Sequence, residues 1–194
     1  MPNASLADFK SKLVGGGARP NLFEVSIPAL PEAAQTSIND ETFKFLCKAS
    51  NLPASNIAEV VVPFRGRNFK VAGDRTVDPW TVTVINDENF EFRSVFEQWA
   101  NGLGKLDNGT GATQPASYMT NAYVRQLGRG DSPSATTNGS NMVTLREYKF
   151  VDIWPSSVSE ISVSYDEVNA IEQFDVTFQV QTFEVSGGEG PTIS

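Results

Sequence analysis

Apolar and polar residues alternate with a period of two along much of this chain, the signature of half-buried β-strands. In Asn21 to Ile27 (NLFEVSI), Phe23, Val25 and Ile27 oppose Leu22, Glu24 and Ser26, and Pro28 and Pro31 close the run. The same alternation predicts strands over Thr42 to Asn51, with Phe43, Phe45 and Cys47 on one face, and over Pro79 to Ile85, Ala122 to Leu127, Met142 to Ile153 and Val158 to Tyr165. Phe174 to Val185 sets Phe174, Val176, Phe178 and Val180 against Asp175, Thr177, Gln179 and Gln181, until Phe183 and Val185 reverse the parity. Such a reversal needs a bulge, or a strand end covered on both faces.

Two stretches switch to helical spacing. Phe92, Val95, Phe96, Trp99 and Leu103 fall at i, i+3, i+4, i+7 and i+11, behind an N-cap signal at Asn86-Asp87 and before Gly102 and Gly104. This stripe predicts a helix packed on a sheet. Leu6, Phe9 and Leu13 follow Ser5 at i, i+3 and i+7 and stop at Gly15-Gly16-Gly17. A helix this short is marginal alone, so its apolar face must dock on its own domain or on another chain.

Between them, IAEVVVPF and NFKVAG flank Arg65-Gly66-Arg67, so Ile57 to Arg75 predicts a long hairpin turned by its glycine. Pro63 places one arm at an edge or beyond the sheet. Arg65, Arg67, Lys70 and Arg75 make the hairpin locally basic. They either keep an edge strand from aggregating or present a projection to an acidic partner. Lys105 to Asn121 and Gly128 to Asn141 are rich in turn-forming residues and predict loops. The Arg129-Gly130-Asp131 tripeptide and the triplets at Asn108 and Asn138 within them are read as coincidence.

Composition removes most catalytic chemistry. The 194 residues contain no histidine and one cysteine, Cys47. Histidine-dependent nucleophile activation, histidine-bound metals and an internal disulfide are therefore excluded. Cys47 reads as a buried strand residue. No glycine-rich loop links a strand to a helix in the way a phosphate cradle requires. Asp166, Glu167, Glu172 and Asp175 cluster near a turn without the spacing of a calcium loop, and read as solvated charge rather than as a carboxylate pair. No catalytic, cofactor-binding or metal-ligating residue is nominated. The opening MPNASLADFK lacks the pattern of a signal peptide, so assembly in a cytosol is expected.

The formal net charge is -8, with 15 Lys plus Arg against 23 Asp plus Glu, which disfavours a general nucleic-acid-binding surface. It is unevenly placed: from Val151 to Ser194 there are eight acids and no Lys or Arg. The expected fold is mainly β (α+β), with two packed antiparallel sheets as a sandwich or barrel, a flanking helix and a long projecting hairpin. Residues 1–17 form an N-terminal arm, 18–185 the β domain and 186–194 a flexible tail.

The order of segments carries a resemblance. ARPNLFEVSIP, FKFLCKASNLPASNI, VPFRGRNFKVAGDR, WTVTVINDENFEFRSVFEQW, YKFVDIWPSSVSEISVSYD and IEQFDVTFQVQTFEV, over Ala18 to Val185, resemble the major tail tube proteins of contractile-tailed, T4-type bacteriophages. Asp131 to Asn141 and the SGGEGPTIS tail lie outside the alignable pattern. The resemblance implies a virion structural protein rather than an enzyme. It implies six-membered rings, stacked into a rigid tube within a contractile sheath, through which DNA passes without specific binding. Implied partners are other copies of the chain, the tail sheath protein, baseplate and tube-terminator proteins, and a tape-measure protein. A tube protein of a non-viral contractile injection system, pyocin or type VI-like, is the alternative. A carbohydrate-binding sandwich and a glycosidase are more distant ones. On this reading Glu160 and Asp175 face the lumen, or, as the alternative, acids of this region attract the basic hairpin of a neighbouring ring; Arg65, Arg67, Lys70, Leu6, Phe9 and Leu13 contact neighbouring rings.

Overall fold

A computed structural model describes residues 6–13, 17–131, 142–166 and 169–187. Among the described residues the chain forms helix α1 (Leu6–Lys12), strand β1 (Phe23–Ser26), a 3-10 turn (Glu32–Ala34), α2 (Asp40–Leu46), β2 (Cys47–Ser50), β3 (Ser55–Phe64), β4 (Arg67–Val77) and β5 (Trp80–Ile85). It continues through α3 (Glu91–Leu103), α4 (Pro115–Tyr118), β6 (Thr120–Asp131), β7 (Met142–Val158), β8 (Gln173–Gln179) and β9 (Thr182–Ser186).

Every strand pairing is antiparallel, and β7 belongs to two layers at once. Its first half pairs with β6 and β9, and β6 pairs with β1; its second half pairs with β8, followed by β5 and then β2. The parity reversal read in the sequence marks the corner. Phe174, Val176 and Phe178 of β8 are buried, the chain breaks at Val180-Gln181, and Val185 of β9 is buried on the opposite parity. β7 shifts at the same level: Phe150 is buried, then Ile153, with Asp152 between them at φ 54°. The Gln181 amide donates to the Val151 carbonyl, 3.3 Å away, so the two irregularities are joined.

The core lies between the layers. Trp80 stacks on Phe150 and Phe178 at 4.6 and 5.2 Å between ring centroids, and its Nε1 donates to the Ser50 hydroxyl at 3.0 Å. Helix α3 closes the core with the predicted face. Phe92, Val95, Phe96 and Trp99 are buried, Phe96 meets Phe174 and Phe178 edge-on, and Trp99 Nε1 donates to the Tyr118 carbonyl. The Asp87 carboxylate accepts from the Glu91 amide at 3.1 Å, which satisfies one orphan donor of the first turn.

Three expectations are corrected. Thr42 to Asn51 is not one strand: Asp40–Leu46 is helix, and strand begins only at Cys47. Asn39 caps that helix by accepting from the Thr42 amide, and buried Phe43 and Cys47 are one helical turn apart, leaving Phe45 85% exposed. Val158 to Tyr165 is not a strand either. β7 ends at Val158, the Ser159 amide bonds the Asp175 carbonyl, and Val163 and Tyr165 are exposed beyond it. The alternation is real, but no described strand lies alongside to complete a ladder. Finally, Gly128 to Asp131 is strand, not loop: β6 runs on to Asp131, which pairs with Met142, and residues 132–141 fall outside the described residues. The triplet at Asn138, Glu167, Ser5 and the tail beyond Gly187 fall outside the described residues.

Candidate assembly surfaces

β3 and β4 form a separate two-stranded sheet, as the sequence predicts. The turn between Phe64 and Arg67 places Arg65 at φ 46° and Gly66 at φ 78°. Two consecutive positive φ values are those of a type I′ turn, whose twist matches that of the strands. Val62 opposes Phe69 and Val60 opposes Val71, so these four side chains and Phe64 share one face. The described residues leave them uncovered: Val62, Phe64 and Phe69 are 45, 64 and 63% exposed. A two-stranded ribbon is marginally stable in isolation, and a contiguous exposed apolar face is the surface type that marks interaction sites.

The charged residues singled out in the sequence behave unequally. Lys70 is paired within the hairpin, Nζ to Glu59 Oε2 at 2.7 Å, and Arg65 lies over the Phe64 ring at 5.3 Å. Arg67 stands across from Phe64, at the end of the apolar face. Leu6, Phe9 and Leu13 are all exposed, so α1 does not bury its apolar stripe in its own domain. Emphasis on the basic residues obscures the larger signal here, the apolar alternation between them.

The two sheet faces turned away from the core differ. Across β1, β6, β7 and β9 runs an ion-pair ladder: Arg125 bonds Glu24 at 2.8 Å and Glu147 at 2.5 Å, and Lys149 bonds Glu184 at 2.9 Å. Lys44 of α2 joins it through Glu24 and Asp40. Burial works against the Arg125 charge, yet the hydrogen bonds to Glu147 and Glu24 outweigh it and push its pKa upward. The face across β2, β5, β8 and the second half of β7 carries hydroxyls and amides instead. Thr81 meets Thr177 at 3.2 Å, Thr83 donates to Asp175 at 2.6 Å, and Ser156 donates to the Thr177 carbonyl.

Asp175 and Glu160, singled out in the sequence, come together. They line an open groove of about 510 Å³ between residues 159–164 and 170–175. Its walls are pinned at the base. Ser159 exchanges hydrogen bonds with Asp175 and its carbonyl accepts from Arg93 of α3, while the Asn86 amide and Nδ2 hold the Glu172 carbonyl and carboxylate. Glu160, Asp166, Glu172 and Asp175 form no ion pair with another described residue. Cys47 is no nucleophile: burial, opposed only by a hydrogen bond to the Ala49 carbonyl, pushes its thiol up to about 12. Among the described residues no three metal-binding side chains cluster.

A β-sandwich whose unsatisfied surface sits on a projecting hairpin, a short arm and an acidic groove has the layout of a subunit built to contact copies or partners. The chain belongs to the phage tail tube protein family, whose pattern matches residues 18–186. It is 36% identical over 170 residues to the tail tube proteins gp19 of Enterobacteria phages T4 and T6, covering 88% of this chain and 93% of each of those. The tail tube protein of Serratia phage KSP90 is 20% identical over 173 residues, covering 88% of this chain and 91% of that one. In fold it is similar to a chain of the anti-feeding prophage baseplate (TM-score 0.60, 10% identity, 90% of this chain and 98% of that one). It is also similar to a chain of an extracellular contractile injection system sheath–tube complex in its extended state (TM-score 0.51, 14% identity, 92% and 97%). The chain is thus a structural tail tube protein of a contractile phage, a component of the virion tail.

Proposed function

We propose that copies of this chain close into six-membered rings, and that the rings stack into a tube through the β3–β4 hairpin and α1. The observation that carries this reading is the uncovered apolar face of the hairpin, which a lone subunit has no means to bury. Ring closure has a physical route. In the layer β7-β8-β5-β2 the strands alternate in direction, and β2 and the second half of β7 are its open edges. With four strands, the two edges run in opposite directions, so β2 of one copy meets β7 of the next antiparallel, and closure removes both edges.

In this arrangement the hydroxyl-rich face of that layer lines the bore, with Asp175 on the wall and Glu160 past its end. Neutral hydroxyls and like charge do not retain phosphates, so a duplex slides through hydrated. The ion-paired face of the other layer then turns outward toward a sheath, and the tube's ends meet baseplate and terminator proteins. Tube length is left to a tape-measure protein. The proteins similar in fold come from sheath–tube, terminator and baseplate assemblies, which supports these partners. An injection-system tube is the second reading; the identity to phage tail tube proteins favours the virion.

Negative-stain microscopy and light scattering of the purified full chain test the proposal. Rings or tubes with a central channel are expected, and a monomer that stays monodisperse at high concentration overturns it. In a structure of the assembly, Asp175 on the outer wall overturns the assignment of the bore.

A further inference from the structure

We propose that the groove between residues 159–164 and 170–175 is the seat for the hairpin tip of a second copy. This rests on the reading of the chain as a self-assembling tube subunit, and it names the surface that receives the hairpin.

Three observations on opposite sides of the molecule fit one another. The hairpin offers an apolar face (Val60, Val62, Phe64, Phe69 and Val71) that ends in Arg65 and Arg67, neither in an ion pair with a described residue. The groove offers exposed apolar residues, Val163 at 79% and Ile171 at 74%, beside the carboxylates of Glu160 and Glu172, which also lack a cationic partner among the described residues. The ladder across β6 and β7 and the Lys70–Glu59 pair are matched within the subunit, whereas the tip cations and the groove carboxylates are not. The tip and the groove are thus complementary in charge as well as in apolar surface.

The third observation concerns the backbone. Residues 160–164 alternate as a strand does, yet none of them hydrogen-bonds to another backbone group among the described residues. The Glu160 carbonyl accepts from the Ser159 hydroxyl, but beyond it this exposed, strand-patterned segment leaves backbone groups for an incoming ribbon, and β3–β4 is a ribbon with two open edges. Because both walls are anchored at their base by Ser159 and Asn86, little of the groove has to be ordered on docking. The opening takes the side chains of the tip, not the whole hairpin. Apolar contact then supplies most of the affinity, and the charges set orientation and the rate of encounter.

The test uses the full chain with the photoreactive residue p-benzoylphenylalanine in place of Phe64, irradiated after assembly and sequenced by mass spectrometry. Adducts between copies on residues 159–164 or 170–175 are expected. Tubes that form but carry their adducts elsewhere overturn the groove while leaving the tube reading intact. Absence of any assembly by the unmodified chain overturns the tube reading, and the groove with it. A second arm reverses charge. Arg65→Glu with Arg67→Glu, and separately Glu160→Arg, each raise the protein concentration needed for assembly about tenfold or more, since like charges then face one another. The three substitutions together restore assembly to within about threefold of the unmodified chain. Circular dichroism confirms that each variant is folded, and no rescue by a folded triple variant overturns the pairing.

Discussion

Arg125 is held between two carboxylates from neighbouring strands, and its place explains why the sheet tolerates Glu24, of whose side chain only 11% is exposed. Arg125→Met leaves Glu24 and Glu147 facing each other across the gap, with Lys44 3.7 Å from Glu24 as the remaining cation. The expected cost is about 2 kcal/mol, less than for a fully buried pair, and the melting temperature falls by about 4–8 °C in a calorimeter. Gly102 is constrained differently: a Cβ there would lie 1.9 Å from the Ala33 carbonyl oxygen. Gly102→Ala therefore forces α3 away from the 3-10 turn and destabilises by about 1–3 kcal/mol, read from denaturant midpoints. Cys47 gives the opposite kind of readout. With its thiol pushed up to about 12 by burial, it stays protonated and shielded at pH 8, so a maleimide labels it at an appreciable rate only in denaturant. Rapid labelling of the folded chain would contradict the burial described.

Among the elements, the hairpin separates folding from assembly most cleanly. Val62→Thr with Phe69→Ser removes apolar surface that the described subunit leaves exposed, so the monomer's melting temperature moves by less than about 2 °C while tube formation is lost. A large drop in melting temperature would mean that the hairpin is packed on its own domain. The hairpin, α3 and β5 were all legible in the chain because local signals and tertiary packing agree there: Arg65-Gly66 at a turn, an aromatic stripe at helical spacing, and clean alternation in WTVTVI. Thr42 to Asn51 was not. Phe43 and Cys47 are four apart, a spacing that serves both a period of two and a helical turn, and the Asn39 cap and the Asp40 bonds to Ser26 and Ile27 decide for helix. Residues 159–165 mislead for another reason. Alternation reports which faces are apolar, whereas a strand also needs a neighbour, and that neighbour is not in the described chain. The groove was half legible: its acids stand out as a run without lysine or arginine, but that Glu160 and Asp175 share one opening depends on Ser159 folding back to β8.

Across the whole molecule, the exposed apolar side chains among the described residues group on the hairpin, on α1 and in the 159–175 region, with others such as Phe45 and Leu106 exposed singly elsewhere. Removing residues 1–17 is expected to leave a folded domain that forms shorter tubes or single rings by electron microscopy; tubes of unchanged yield would show that α1 is dispensable. Salt separates charge from apolar contact. Raising ionic strength from about 0.05 to 0.5 M shortens the screening length to a few ångströms and slows the onset of assembly in light scattering, while the plateau reached changes little. Strand β7 has a further consequence at this scale. Its 17 residues, at about 3.3 Å each, follow a contour of more than 50 Å and pass, bent at Asp152, from one layer into the other. The β8–β9 track runs beside it, and the two bends are tied by the Gln181–Val151 bond. A push on one layer therefore reaches the other along covalent backbone instead of through side chains that slip past one another. The two layers are thereby braced against sliding past one another.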